Sequence, residues 1–174
     1  CQRPRPDELV TALQTTEKAS KNAAYAFSDL SGTWQLRFIT GTKKSRKRAG
    51  VALGAGRYLP QLIKIHITYQ TDGEHQGWVQ NSVILGALTL TLTGPILFWP
   101  QAKCLAFDFT QIQIKLGTAS LYQGRIKPEA ADQEFYEQTL KEQAFFKYFW
   151  VTGQGIAARG RGGGLALWSR CSSV

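Results

Sequence analysis

The stretch Ile63-Lys64-Ile65-His66-Ile67-Thr68-Tyr69 alternates apolar and polar side chains without a break. A β-strand places successive side chains on opposite faces, so this pattern predicts a strand with one face in a core and the other in water. The dipeptide Asp72-Gly73 follows and suits a tight hairpin turn. We therefore expect a second, antiparallel strand from about His75.

The same alternation recurs on both sides of this stretch. Residues 33–40 alternate, and residues 88–93 do so until Gly94-Pro95, where we expect the strand to end. Further strands are predicted at 105–109, 112–116, 120–126, 145–152 and 165–170. A helix is predicted over residues 7–27, and a short surface helix between 128 and 143. Since no crossover helices separate the strands, the pattern favours an antiparallel barrel or sandwich with about eight or nine strands.

Composition limits the class of protein. The chain has 174 residues, of which 43% are hydrophobic, and this supports one globular domain rather than a disordered chain. We expect a single domain in which residues 1–28 form a helical segment and residues 29–174 form the barrel. The apolar run 85–92 is too short to cross a bilayer as a helix. Only three cysteines are present, too few for a disulfide scaffold.

Positive charge is concentrated in one segment. The net charge is +9, which favours an anionic partner. Five basic side chains lie within six positions: Lys43, Lys44, Arg46, Lys47 and Arg48. We weigh a solvated loop against contact with an anionic membrane surface. No nucleic-acid-binding motif accompanies the run, so a nucleic-acid partner is not predicted.

Catalytic motifs are absent from the sequence. His66 lies on the polar face of its strand and His75 lies beside a turn, so both are expected to be solvated. Asp108 stands between two phenylalanines and is expected to face solvent. Residues 153–158 match G-x-G-x-x-A, but glycines and arginines follow where a nucleotide site needs a helix. We therefore expect no enzyme activity, no metal and no cofactor.

Aromatic and aliphatic residues are spread over almost every predicted strand. Most must form the core, but a partly hollow barrel would use the same faces to line an apolar cavity. The residues expected to line such a cavity are Ile65, Ile67, Tyr69, Trp78, Phe107, Phe109 and Phe149. A lipid, quinone, carotenoid or tetrapyrrole would suit this cavity.

Two terminal motifs resemble known families. Gly32-Thr33-Trp34 at the start of the first strand resembles the G-x-W signature of lipocalins. More particularly, the leading helix, the segment Leu30-Ser31-Gly32-Thr33-Trp34-Gln35-Leu36 and the ending 158–168 resemble the plastid lipid-associated protein family, also called fibrillins. The chain departs from that family at Asn22-Ala23-Ala24, where Asn-Pro is usual. A late acidic element of the family is represented only by residues 148–151.

The resemblance implies a lipocalin-like barrel that binds or organises a hydrophobic molecule, such as a lipid, isoprenoid quinone or carotenoid, at a photosynthetic membrane. It implies localisation at thylakoids or plastid lipid bodies, in a chloroplast or a cyanobacterium. The G-x-W resemblance implies that Trp34 closes one end of the barrel beneath a guanidinium from the final strand, with Arg170 preferred over Arg159. Two alternatives remain open: a chromophore-handling enzyme of the same fold, such as a bilin lyase, and a filled barrel that binds protein partners.

Overall fold

The computed structural model describes residues 3–20, 25–41 and 56–171, and within them one antiparallel sheet of eleven strands dominates. The helical elements are α1 (Pro6–Ala19), a 3-10 helix (Phe27–Leu30) and α2 (Ala130–Glu137). The strands are β1 (Gly32–Ile39), β2 (Arg57–Tyr58), β3 (Ile63–Thr71), β4 (Gln76–Leu85), β5 (Leu88–Trp99), β6 (Cys104–Phe107), β7 (Gln111–Leu116), β8 (Ala119–Arg125), β9 (Ala144–Val151), β10 (Gly155–Gly160) and β11 (Leu165–Arg170).

Eight of these strands close into a barrel. The order is β1-β3-β4-β5-β6-β9-β10-β11, and pairing of β11 with β1 completes the circle. Every pairing is antiparallel, from β1–β3 round to β10–β11. The predicted fold class, a mainly β chain with an antiparallel barrel and an N-terminal helix, is therefore confirmed. Closure satisfies the backbone groups that an open sheet would leave unpaired at its edges.

One end of the barrel is plugged by the 3-10 helix. Phe27 and Leu30 from this helix are buried and join the interior cluster. The Trp34 indole nitrogen donates a hydrogen bond to the Leu30 carbonyl oxygen at 2.7 Å. We refer to this as the closed end.

Helix α1 packs on the outside of the barrel. Leu13 is buried against Phe149, Ala157 and Leu165 in a second cluster, separate from the interior. The predicted helix over 7–27 is therefore too long, because the helix ends at Ala19 and Phe27 already belongs to the 3-10 helix. A short surface helix was expected between 128 and 143, and α2 fills this role.

Strand β5 does not end at Gly94-Pro95 as the sequence predicted. It continues to Trp99 and changes its partner at this point, pairing with β7 before Gly94 and with β6 after Pro95. The chain between β6 and β7 crosses very close to the strand, since a Cβ at Gly94 would lie 2.2 Å from the Asp108 carbonyl oxygen. A glycine is required there because no side chain fits. The dipeptide marks a change of partner rather than a stop.

The partner change produces an open extension of the barrel. Beyond the β1–β3 pairing, β3, β4 and β5 continue and the β7–β8 hairpin joins them. We call this five-stranded part the wing and define it as residues 63–66, 80–93 and 111–125. Within residues 153–158, Gly153 and Gln154 connect β9 to β10, and residues 155–158 belong to β10, which pairs on both sides within the barrel wall.

Candidate functional site

The interior near the closed end is filled by side chains. Trp34, Tyr69, Ile96, Tyr148 and Ile156 are all buried there. The Tyr69 and Tyr148 hydroxyl oxygens lie 2.8 Å apart and form a hydrogen bond. This part of the barrel is a packed core.

The buried tyrosines are held neutral. Burial raises the pKa of Tyr69. Burial also raises the pKa of Tyr148 strongly, and the neighbouring Tyr69 and Tyr25 raise it further. Burial, and next the neighbouring Cys104, raise the pKa of Tyr25, whose hydroxyl donates to the Lys103 carbonyl oxygen at 2.9 Å. A phenol with a raised pKa keeps its proton at neutral pH, so these hydroxyls are neutral hydrogen-bonding groups.

The apolar lining of the barrel continues onto one face of the wing. Side chains directly opposite in paired strands share a face, and alternation carries that face along each strand. Tyr69 and Val79 are opposite one another in the core, so the same register places every second residue of the wing on the interior side. We call the following set the wing face: Ile63, Ile65, Val83, Leu85, Leu88, Leu90, Leu92, Ile112, Ile114, Leu116 and Tyr122.

The wing face is unusually exposed for an aliphatic surface. Leu85, Leu88, Leu116 and Tyr122 are exposed, and the other members are only partly buried. Helix α1 packs on β9, at another part of the barrel. Contiguous exposed apolar patches on a protein surface mark binding sites for a partner, a ligand or a membrane.

The opposite face of the wing is polar. Thr89, Thr91 and Thr93 alternate with the leucines of β5, and glutamines occupy the equivalent positions of β7. The Gln113 amide donates to Gln123 at 3.1 Å, and Ser82 and Thr91 lie 3.3 Å apart as a hydrogen-bonded pair. The wing is therefore an amphipathic sheet whose polar side already has partners.

A group of aromatic rings lies between the core and the base of the wing, and we call Phe107, Phe109 and Phe146 the junction rings. Phe107 stacks on Phe146 with ring centroids 5.0 Å apart, and it contacts Phe109 at 5.5 Å. All three rings are partly buried and pack against the interior cluster. These rings extend the apolar interior of the barrel towards the base of the wing.

Asn81 is a polar residue on this apolar side. It lies opposite Ile67 on β3 and Leu92 on β5. Its side-chain oxygen is buried and has no hydrogen-bond partner among the described residues. A buried acceptor without a donor is costly, so Asn81 stands out as a polar group in an aliphatic surface.

A cavity of about 580 Å³ lies where β1 and β3 diverge. It is bordered by Leu36, Tyr58 and Ile63, the last of which begins the wing face. Arg37 and Lys64 also border the cavity. Burial, and next the charges of Lys64 and Arg37, lower the pKa of His66. Its volume is within the range of small-molecule sites.

The seven predicted cavity residues are separated by the structure. Ile67 and Tyr69 lie in the packed core, Phe107 and Phe109 at the junction, and Ile65 on the wing face. The placement of Trp78 and Phe149 requires correction, because neither lies on the interior side. Val79 and Tyr148 occupy the interior side, so their neighbours Trp78 and Phe149 face outwards. Phe149 lies beneath helix α1, and Trp78 is 41% exposed.

The expected contact at the closed end is present. The Arg170 guanidinium carbon lies 4.7 Å from the centroid of the Trp34 ring, and Trp34 is fully buried. Arg170 also donates to the Ser31 carbonyl oxygen at 3.0 Å. Arg159, the other arginine considered for this role, instead donates to the Glu17 carboxylate on helix α1, with Nε at 2.6 Å.

Other predicted features have these placements. The basic run Lys43, Lys44, Arg46, Lys47 and Arg48 lies outside the described residues. Asp108 is ion-paired with Lys127 at 2.5 Å, so its carboxylate is engaged. Cys104 and Cys171 are both free thiols.

The described residues contain neither a cluster of metal-binding side chains nor a helix that could span a membrane. Nowhere in residues 3–20, 25–41 and 56–171 do three or more histidine, cysteine, aspartate or glutamate side chains gather as a metal site would need. In the same residues, neither α-helix has the length and apolar character needed to span a membrane.

The wing face was missed by sequence reasoning, although it left a signal. Asp108 is the single acidic residue between His75 and Pro128, a stretch that includes nearly all of the wing. The alternation of Leu88–Thr93 identified a half-buried strand correctly. Which elements would cover its apolar side depended on pairings that the pattern does not contain.

The chain has no match among protein families or curated proteins, and it is similar to one designed structure. No protein-family model matches the chain, and no curated protein matches it. Among solved structures, the chain is similar to a redesigned β-barrel with 11% sequence identity and a TM-score of 0.41. That similarity covers 87% of this chain and 98% of the designed protein.

Proposed function

We propose that this protein binds a hydrophobic small molecule, such as a lipid, isoprenoid quinone or carotenoid, without catalysis, and that it works at the surface of a photosynthetic membrane. The observation that carries the proposal is the wing face. It offers an apolar surface that runs from the junction rings to the end of β7. The membrane and the ligand classes come from the resemblance to plastid lipid-associated proteins, as does a plastid or thylakoid localisation.

In this proposal the closed end stabilises the fold and the wing face binds the ligand. The core around Trp34 and Tyr148 is packed, so a ligand would lie along the wing face and against Phe107 and Phe109 rather than deep in the barrel. Burying apolar surface contributes roughly 25 cal/mol per Å². A long, flexible hydrocarbon can lie along an extended surface, so it suits the wing face better than it would suit an enclosed cavity.

The chromophore-handling enzyme is a less favoured alternative. It would need a reactive polar group facing the bound molecule. Among the described residues, the carboxylates of Asp108 and Glu17 are ion-paired, and the interior tyrosines have raised pKa values. These features support binding without chemistry.

The binding experiment uses two matched pairs of residues. Leu90 and Ile114 lie opposite one another on the wing face, and Thr91 and Gln113 lie opposite one another on the polar side. One variant carries Leu90→Thr and Ile114→Thr, and the control carries Thr91→Ala and Gln113→Ala. Quenching of tryptophan fluorescence is titrated with decylubiquinone, retinol and oleate.

We expect saturable binding of at least one probe to the unmodified protein and to the control. The wing-face variant should bind at least tenfold more weakly, since a factor of ten needs only about 1.4 kcal/mol. If no probe saturates, the protein is not a carrier of such molecules, and the filled-barrel scaffold becomes the better explanation. Equal binding by both variants would place the ligand elsewhere.

A further inference from the structure

Four exposed leucines lie together at the free end of the wing. They are Leu62 before β3, Leu85 at the end of β4, Leu88 at the start of β5 and Leu116 at the end of β7. Their exposed fractions are 81%, 52%, 42% and 52%, respectively. We call these four residues the leucine rim.

The strand register makes Ile63, Leu85, Leu88 and Leu116 one continuous row, and Leu62 adjoins this row in the turn before β3. Leu85 pairs with Leu88 across the turn Gly86-Ala87, and Leu88 pairs in turn with Leu116. On the other side, Leu85 pairs with Ile63, the residue after Leu62. Neighbouring strands lie about 4.8 Å apart, so the row crosses four strand ends over roughly 14 Å. Leu85, Leu88 and Leu116 are also the end of the wing face, whereas Leu62 lies outside it.

Along the strands that carry the rim, the charged residues nearest to the rim leucines in sequence are lysines. No acidic residue occurs from Gln76 to Phe107, and Asp108 lies at the base of the wing, in an ion pair with Lys127. Lys64 and Lys115, by contrast, each lie within two residues of a rim leucine along the chain. Long basic side chains on the polar face can extend to lipid phosphates while the leucines enter the apolar layer.

We propose that the leucine rim inserts into the surface of an anionic lipid bilayer. This inference rests on the proposed function and extends it, because insertion would join the wing face directly to the acyl chains and give a lipid-soluble ligand a path between them. A second copy of the chain is a poorer occupant. Pairing two rims would bring the lysines of both copies together, whereas an anionic bilayer complements them.

A matched pair of single substitutions on the β7–β8 hairpin tests the proposal. Leu116 is 52% exposed at the rim, and Ile126 is 50% exposed at the base of the same hairpin. Leu116→Asp and Ile126→Asp therefore make the same change of charge on similarly exposed residues. Each protein is sedimented with vesicles of phosphatidylcholine and phosphatidylglycerol at 3:1, and with pure phosphatidylcholine. Leu85→Asp provides a second rim variant.

We expect the unmodified protein and Ile126→Asp to bind the anionic vesicles alike, with weaker binding to pure phosphatidylcholine. Both rim variants should partition at least tenfold more weakly into the anionic vesicles, with unchanged circular dichroism. Equal sedimentation of Leu116→Asp and Ile126→Asp would overturn the proposal, and so would failure of the unmodified protein to bind.

Two further measurements separate this inference from the proposed function and from self-association. Titration of Leu62→Asp with decylubiquinone in the absence of vesicles should give the affinity of the unmodified protein, because Leu62 belongs to the rim but lies outside the wing face, whereas its sedimentation with anionic vesicles should fall. Loss of probe binding by every protein would reject the proposed function instead. Sedimentation velocity should show the same oligomeric state for all variants, and a dimer dissolved only by the rim substitutions would identify a second copy as the occupant.

Discussion

The Tyr69 and Tyr148 hydroxyls meet inside the barrel 2.8 Å apart, each on a fully buried side chain. One hydroxyl donates and the other accepts, so each provides the other with a hydrogen-bond partner. This bond joins β3 to β9 across the interior, and it explains how two polar groups are accommodated in a packed core.

Removing both hydroxyls should cost less than the sum of the two single removals. Tyr69→Phe leaves the buried Tyr148 hydroxyl without its partner, and we expect a loss of about 1–3 kcal/mol in the free energy of unfolding. Tyr148→Phe should behave similarly. The double variant should lose less than the sum of the single losses, because neither polar group remains. Urea denaturation of all four proteins checks this, and strictly additive losses would contradict it.

Stability should fall at alkaline pH. Burial raises the pKa of Tyr25, Tyr69 and Tyr148 above the ordinary tyrosine value of about 10. Above that pH the unfolded chain loses these protons while the folded chain retains them, so the unfolded state is favoured as pH rises. Each such tyrosine contributes a slope of about 1.4 kcal/mol per pH unit.

The measurement for this pH dependence is the urea midpoint between pH 8 and 11.5. The unmodified protein should be stable below pH 10 and should lose stability steeply above it. The Tyr69→Phe, Tyr148→Phe double variant serves as the comparison, since it keeps Tyr25 alone of the three. Its decline should be clearly shallower, and identical slopes would show that these tyrosines are not the cause.

The closed end should depend on Trp34 more than on Arg170. Trp34→Ala removes a fully buried indole and should cost about 3–5 kcal/mol. Arg170→Ala removes the guanidinium above the ring, together with its bond to Ser31, and should cost about 1 kcal/mol because Arg170 is exposed. Arg170→Lys should recover part of that loss. Thermal unfolding ranks the three variants, and a larger effect of Arg170→Ala would reverse this assignment.

Asn81→Val should stabilise the protein. The change continues the sequence of Val79 and Val83 on the same side of β4 and removes a buried oxygen without a donor. We expect an increase of about 1 kcal/mol in the free energy of unfolding. Asn81→Asp, which places a charge in the same position, should do the opposite. Urea denaturation decides between these outcomes.

Alternation in the sequence was sufficient to find the strands but not to decide every face. Residues 63–69 and 165–170 were placed correctly because their patterns are strict. Trp78 and Phe149 were assigned to the interior on their apolar character alone, and a difference of one residue moves a side chain to the opposite face. The bulge between Ala157 and Ala158 has no mark in the sequence, although it changes the register of β9 and β10.

Long-range pairing was the other limit. The sequence contains the Gly94-Pro95 signal, but a stop and a change of partner look the same at that dipeptide. The helix over 7–27 was overestimated for a related reason, since Phe27 and Leu30 satisfy the demand of the closed end for apolar cover. The contact of Trp34 with Arg170 came from the resemblance, which supplied pairing information that composition lacks.

Strand β5 belongs to both the barrel and the wing, and this affects which parts of the protein can open locally. Opening of the β7–β8 hairpin would break the pairings of Leu88–Thr93 with β7 and leave the pairings of β5 with β4 and β6 intact. The β5 amides that donate to β7 should therefore exchange with solvent hydrogen through local opening, and those that donate to β4 or β6 should exchange more slowly. The wing can thus open at its hairpin while the barrel remains folded.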